Sequence, residues 1–260
     1  MVKELEGITP PENDDILWRF MDFEKFVNIL TSDSLFFTRA DKFEDPYEGY
    51  KPEAIKLIQK EAAHQVKNSN TSEVSEIFDG DSQEKFLENW RRYVMCNCWY
   101  NGEEQSIAMW KIYAARKSGI AIKTTVGNLK KSLSNKSDVF IGKMNYSTDE
   151  AYELHYLKDL AFSPRSASVP EQLKKILYFP YFHKRKAYID EKEIRLIIDS
   201  VPLVFDHFHS NYPEPATPDD LNTLINTGFP EIWKIGESLK VDIETLIGEV
   251  IISPYADDWL

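Results

Sequence analysis

Glu191-Lys192-Glu193-Ile194-Arg195-Leu196-Ile197-Ile198 is the stretch on which the reading of this chain turns. Polar and apolar residues alternate with period two, which predicts a β-strand. Successive side chains on a strand point to opposite faces. Ile194, Leu196 and Ile198 are therefore expected on a core face, with Glu191, Glu193 and Arg195 on the other. Two carboxylates that close raise at least one pKa, and a neighbouring guanidinium lowers it again. Carboxylates tuned in this way serve as an acid, a base or a stabiliser of a developing cation. A solvated strand face with alternating charges is the plainer alternative, and this segment alone leaves both open.

The chain has 260 residues, 42% of them hydrophobic and 13% aromatic, enough to bury a sizeable core. The expected organisation is a flexible lead-in over 1–15 and one α+β domain over 16–260, its motifs in 16–199 and a C-terminal extension over 200–260. A net charge of −12 disfavours non-specific nucleic-acid binding. Met1–Glu6 shows no apolar leader and no run of about 18 apolar residues occurs. A soluble, cytoplasmic protein with no membrane partner is the expectation. Cys96 and Cys98 are the only cysteines. They share a strand face, no second pair completes a zinc site, and buried, reduced thiols are expected.

Working outward, strands are expected at 16–20, 35–38, 93–99, 119–122, 139–146 and 250–252. Asp22 is a plausible N-cap for a helix carrying Phe23, Phe26, Val27 and Leu30 inward. Further helices are expected over 52–66, 83–92, 104–115 (with Ile107, Trp110 and Met109 inward), 149–160, 170–186 and around Trp233. Residues 68–82 are polar and Ser-rich, the best candidate for a surface insert. The stretches 163–170 and 209–218 read as loops. Strands mixed irregularly with helices favour α+β, with a mixed, mainly antiparallel sheet, over a doubly wound parallel sheet.

The chain holds no phosphate-cradling Gly-rich loop and no Gly-x-Ser-x-Gly elbow. His207 and His209 could share a strand face, but no metal is expected. Arg19 lies inside a short apolar strand, Trp18-Arg19-Phe20. Either it faces a cleft or an anion, or it is an edge arginine with its stem packed. Asp45-Pro46-Tyr47-Glu48 is most simply a turn. Trp110 and Tyr113 form an aromatic stripe at helical spacing, a pattern usually found in a core.

Taken in order, several segments resemble the bacterial domain-of-unknown-function family 2971. They are Leu17-Trp18-Arg19-Phe20 with Leu35-Phe36-Phe37, then Phe43-Glu44-Asp45-Pro46-Tyr47-Glu48, then Cys98-Trp99. Met109-Trp110-Lys111-Ile112-Tyr113, Gly119-Ile120-Ala121-Ile122 and Glu191 to Arg195 complete the set. That family is similar in turn to the ADP-ribosyltransferase-like fold, a split sheet. The resemblance implies that Glu193 is the catalytic carboxylate, Glu191 its helper, and Arg19 the residue holding the ribose or diphosphate of NAD. It also implies a binding set of Trp18, Asp45, Tyr100, Trp110, Tyr113 and Arg195. The middle motif departs from the Ser-Thr-Ser-like triplet of the arginine-type enzymes, since this chain has Cys98-Trp99-Tyr100, with Ser106 in the next helix.

The chemistry so implied is cleavage of the nicotinamide–ribose bond of NAD, used as substrate, through an oxocarbenium-like transition state. A carboxylate stabilises the developing charge, Arg19 offers a fork for diphosphate, and aromatic rings stack on nicotinamide or adenine. The expected function is an NAD-dependent ADP-ribosyltransferase or NAD glycohydrolase acting on a protein or nucleic-acid acceptor. Such an activity would suit a toxin or phage-defence effector with an antitoxin or regulatory partner. The alternatives are a non-catalytic nucleotide- or protein-binding module on the same fold, and a nuclease-like hydrolase built on Glu191, Glu193 and Asp45.

Overall fold

A computed structural model of the chain describes residues 2–45, 47–49, 89–114, 118–133, 138–147, 177–200 and 234–257. The helices expected at 52–66 and 149–160, the Ser-rich stretch 68–82, the loops 163–170 and 209–218, the helix around Trp233, and His207 and His209 lie outside them.

The strands are β1 (Val2–Glu4), β2 (Ile16–Asp22), β3 (Ser34–Arg39), β4 (Met95–Asn101), β5 (Gly119–Thr125), β6 (Val139–Lys143), β7 (Asn145–Ser147), β8 (His183–Arg185), β9 (Glu193–Ile198), β10 (Gly236–Lys240) and β11 (Glu249–Ile252). The helices are α1 (Phe23–Ser32), α2 (Ile107–Tyr113), α3 (Val126–Ser132) and α4 (Ile243–Leu246). Nine strands form one sheet in the order β1-β6-β9-β4-β2-β5-β11, with β3 branching from β4 and carrying β10. Among the described residues only β1 and β6 pair in parallel within it, so the fold is α+β with a mixed, mostly antiparallel sheet. β7 and β8 form a separate parallel pair.

The period-two reading of β9 holds on its apolar side. Ile194, Leu196 and Ile198 join Leu17, Phe37 and Trp99 in the largest core. The opposite face is not solvated, because Ile197 and Cys96 lie in a second core with Phe140, Tyr178 and Phe182. All six residues of β9 are buried. A third cluster, Trp18, Phe20, Met109, Trp110, Ala114 and Ala121, seats α2 on β2 and β5.

Several expectations change. The strand begins at Glu193, because Lys192 has φ +40° and caps a 3₁₀ helix, Lys186–Glu191. Glu191 thus belongs to that helix and shares no strand face with Glu193. Residues 2–8 are not a loose lead-in: β1 pairs with β6, and Leu5 and Ile8 are buried. Of the helix expected over 170–186, the described part is helical at Leu177 and Tyr178 and then tightens into a 3₁₀ turn, Phe179–Phe182, followed by β8. In α1 the buried residues are Phe26 and Ile29, while Phe23, Val27 and Leu30 are exposed. Residues 26 and 29 are one turn apart, and a contact that narrow leaves the flanks of the stripe in water. Asp22 is the N-cap but makes no side-chain cap bond. α2 starts at Ile107, which is 51% exposed, after Ser106 accepts a hydrogen bond from the Met109 amide at 3.3 Å.

β4 is where the sheet divides. On the edge away from β9, Asn101 and Tyr100 pair with Leu17 and Trp18 of β2, whereas Cys96 and Met95 pair with Thr38 and Arg39 of β3. Asn97, Cys98 and Trp99 are left between the two strands. Their polar groups are met by side chains, since buried backbone donors and acceptors must find partners. Asn97 donates to the Phe36 carbonyl at 2.9 Å and accepts from the Trp99 indole at 2.7 Å. Arg19 Nη1 donates to the Cys98 carbonyl at 2.9 Å.

Candidate functional site

Arg195 is the centre of the charged cluster. It is 1% exposed and its Nε and Nη2 grip Glu193 at 2.6 and 3.1 Å. Its Nη1 bonds Glu48 and, at 2.7 Å, the Tyr181 carbonyl. The guanidinium lies 5.4 Å from the Phe43 ring centroid. Phe43 and Glu48 are two ends of one predicted motif, and Arg195 closes another, so these separate segments enclose a single cation. Arginine suits this position because its planar fork holds a carboxylate with two parallel bonds.

The turn over 47–49 and Asp45 before it are docked by Glu48 on Arg195 and by Asp45 on Arg185 at 3.2 Å. Arg185 also lies 4.7 Å from the Tyr47 ring centroid. Gly49 ends the turn at φ +68°, where a Cβ would run into the Tyr181 ring. Only glycine meets both demands.

Lys184 joins the two carboxylates that the sequence placed on one strand. Its Nζ lies 2.6 Å from Glu191 and 2.8 Å from Glu193. Burial alone would raise the Glu193 carboxyl, but the charges of Arg195 and Lys184 outweigh it and leave it at about 2. Glu191 goes the other way, raised by burial and by the Glu193 charge despite the opposing pull of Lys184. The Tyr146 hydroxyl accepts the Glu193 amide at 2.7 Å, and Glu193 carries its carbonyl to the Met144 amide at 2.8 Å.

The sequence assigned contact chemistry to Glu193 and a supporting role to Glu191. Their accessibility runs in the reverse order, since Glu193 is 5% exposed and the Glu191 side chain 16%. Trp110, an expected stacking aromatic, and Trp18, of the expected binding set, belong to the third core. Their indoles donate to Gln105 at 2.7 Å and to the Gly102 carbonyl at 2.8 Å. Tyr100 packs at the edge of that core, whereas Tyr113 is an exposed ring. Burial pushes the Tyr113 phenol up, and the Glu191 charge adds to this.

Arg19 stands apart from the ion-pair cluster. It is half-buried, its guanidinium 5.6 Å from the Trp99 ring centroid, and no carboxylate pairs with it among the described residues. Burial lowers its pKa, only partly opposed by the neighbouring Cys98 and Tyr113. β4 is the one strand between β2 and β9. Two strand spacings of about 4.8 Å therefore separate the backbones of Arg19 and Glu193, roughly 10 Å.

Sequence reading missed Lys184, Tyr146 and Tyr181. The first left a signal, since His183-Lys184-Arg185-Lys186 is a basic run in an acidic chain. Cys96 is buried, Cys98 is half-buried, and both are free. Burial pushes the Cys96 thiol up to about 12 and the Cys98 thiol well above its usual range. Among the described residues no group of three or more His, Cys, Asp or Glu is placed to hold a metal ion, and no helix is long and apolar enough to cross a membrane.

Residues 109–196 match a family described as "Protein of unknown function (DUF2971)". The matched stretch supports that family and runs from α2 through Lys184, Glu191, Glu193 and Arg195. No curated protein and no solved structure matches the chain.

Proposed function

We propose that this chain binds NAD and cleaves its nicotinamide–ribose bond, passing ADP-ribose to a macromolecular acceptor or to water. The observation that carries the reading is Arg19, a half-buried guanidinium without a carboxylate partner among the described residues, beside the split in the sheet. A cation so held is ready for a ligand's diphosphate. The acidic cluster lies two strands away, on the face that Glu193 shares with Tyr100 and Trp18, and suits the other end of a ligand that Arg19 holds at the split. Three carboxylates (Glu48, Glu191, Glu193) face two cations (Lys184, Arg195) there. An excess of negative charge in a buried setting favours the positive charge that develops on the ribose as nicotinamide leaves. In this reading Glu191 is the carboxylate nearest to the ligand, and Glu193 acts from behind it. A toxin or defence effector under the control of a regulatory partner fits such an activity.

The enclosure of Glu193 favours a second reading, a nucleotide-binding module without turnover. Nicotinamide release from NAD, followed by chromatography, separates the two, with binding followed by calorimetry. The expected results are release by the wild-type protein and a loss of about 100-fold or more in Glu191→Gln, about 3 kcal/mol of transition-state stabilisation. Arg19→Ala should mainly weaken NAD binding, with a melting curve confirming the fold. Binding without release would establish the module, and neither binding nor release would remove both readings.

A further inference from the structure

We infer that Lys184 is a positioning residue that ties Glu191 to the buried Glu193–Arg195 pair and sets the ionisation of Glu191. It deepens the proposed function, because Glu191 is the carboxylate that function presents to the ligand.

The geometry comes from three elements that meet at one ammonium group. Lys184 sits on β8, Glu191 ends the 3₁₀ helix that follows, and Glu193 opens β9. The left-handed Lys192 turns the chain between the two carboxylates, so strand alternation no longer relates them. Nζ spans the gap at 2.6 and 2.8 Å, with the lysine side chain only 10% exposed. Glu193 is already paired with Arg195, so removing Lys184 leaves it a counter-charge. Glu191 has no other cation in direct contact among the described residues. The two carboxylates therefore depend on the lysine to different degrees.

The groups around Glu191 decide its response. Lys184 on β8 and Arg195 on β9 favour its charged form, while Glu193 on β9 and burial oppose it. Tyr113 on α2 and Tyr146 on β7 feel its charge, which adds to the upward shift of both phenols. A cation removed from this set leaves Glu191 facing burial and the Glu193 anion. Its carboxyl then takes up a proton at higher pH.

The test is a carboxyl-carbon NMR titration of Glu191 and Glu193 in wild type, Lys184→Met and Lys184→Arg, which needs no NAD. The expected result in Lys184→Met is an upward shift of both midpoints, with Glu193 kept below Glu191 by its remaining pair with Arg195, and a return towards wild type in Lys184→Arg. A Glu191 midpoint unmoved in folded Lys184→Met overturns the inference. If Lys184→Met does not fold, the wild-type protein suffices, with the Lys184 Nζ resonance followed against pH. That resonance should move with the Glu191 midpoint, and its indifference to that transition overturns the inference equally. Failure of NAD turnover with these titrations intact would count against the proposed function and leave the role of Lys184 standing.

Discussion

Glu193→Gln removes one charge from a buried cluster without changing the shape of the side chain. In the wild-type protein Glu193 receives Nε and Nη2 of Arg195 and Nζ of Lys184. Its carboxyl lies at about 2 against an ordinary 4.5. At 1.36 kcal/mol per unit this corresponds to about 3 kcal/mol of stability near neutral pH. Breaking a buried ion pair from one side costs about 3–5 kcal/mol, in agreement. The sign follows from the depressed folded-state value. The contribution is present above about 4.5 and is lost as pH falls towards 2, where the native carboxylate itself becomes protonated. Urea unfolding of wild type and Glu193→Gln should therefore differ by about 3 kcal/mol at pH 7, with the gap narrowing steadily between about pH 4.5 and 2. A difference below about 1 kcal/mol, or one independent of pH, would refute the claim that Arg195 and Lys184 hold this carboxylate ionised.

Gly49→Ala should destabilise by roughly 1–3 kcal/mol or more, because alanine is strained at φ +68° and its methyl meets Tyr181. A melting temperature equal to wild type would show that the turn is not pressed onto that ring. Both cysteines should resist an aromatic disulfide reagent in the native protein at pH 8 and react in denaturant, since burial raises both thiols. Complete labelling of native protein within seconds would contradict that burial. Ile107→Asp, at an exposed position in α2, should change stability by no more than about 0.5 kcal/mol, whereas Met109→Ala, in the third core, should cost about 2–5 kcal/mol. Equal losses in thermal unfolding would place Ile107 inward after all.

What the sequence determined by itself is local. Alternation along Ile194, Leu196 and Ile198 committed one face of β9 to the core, because side-chain direction on a strand has a period that no tertiary context alters. The strand–helix–strand order of β4, α2 and β5 was legible for the same reason, as was the turn at Asp45. The fate of the other face of β9 was not. Arg195 finds Glu48 at a separation of 147 residues, and no pattern within a short window carries a partner that far away. Glu191 illustrates the opposite error. Its place two residues before Glu193 suggested a shared strand face, but the left-handed Lys192 breaks the strand, and only the arrival of Lys184 from β8 reunites the pair. Tyr181 is ordinary in sequence, and it, Lys184 and Glu48 become specific once folding removes them from water. There, unpaired charge is costly, and each group must face a partner supplied by a distant element.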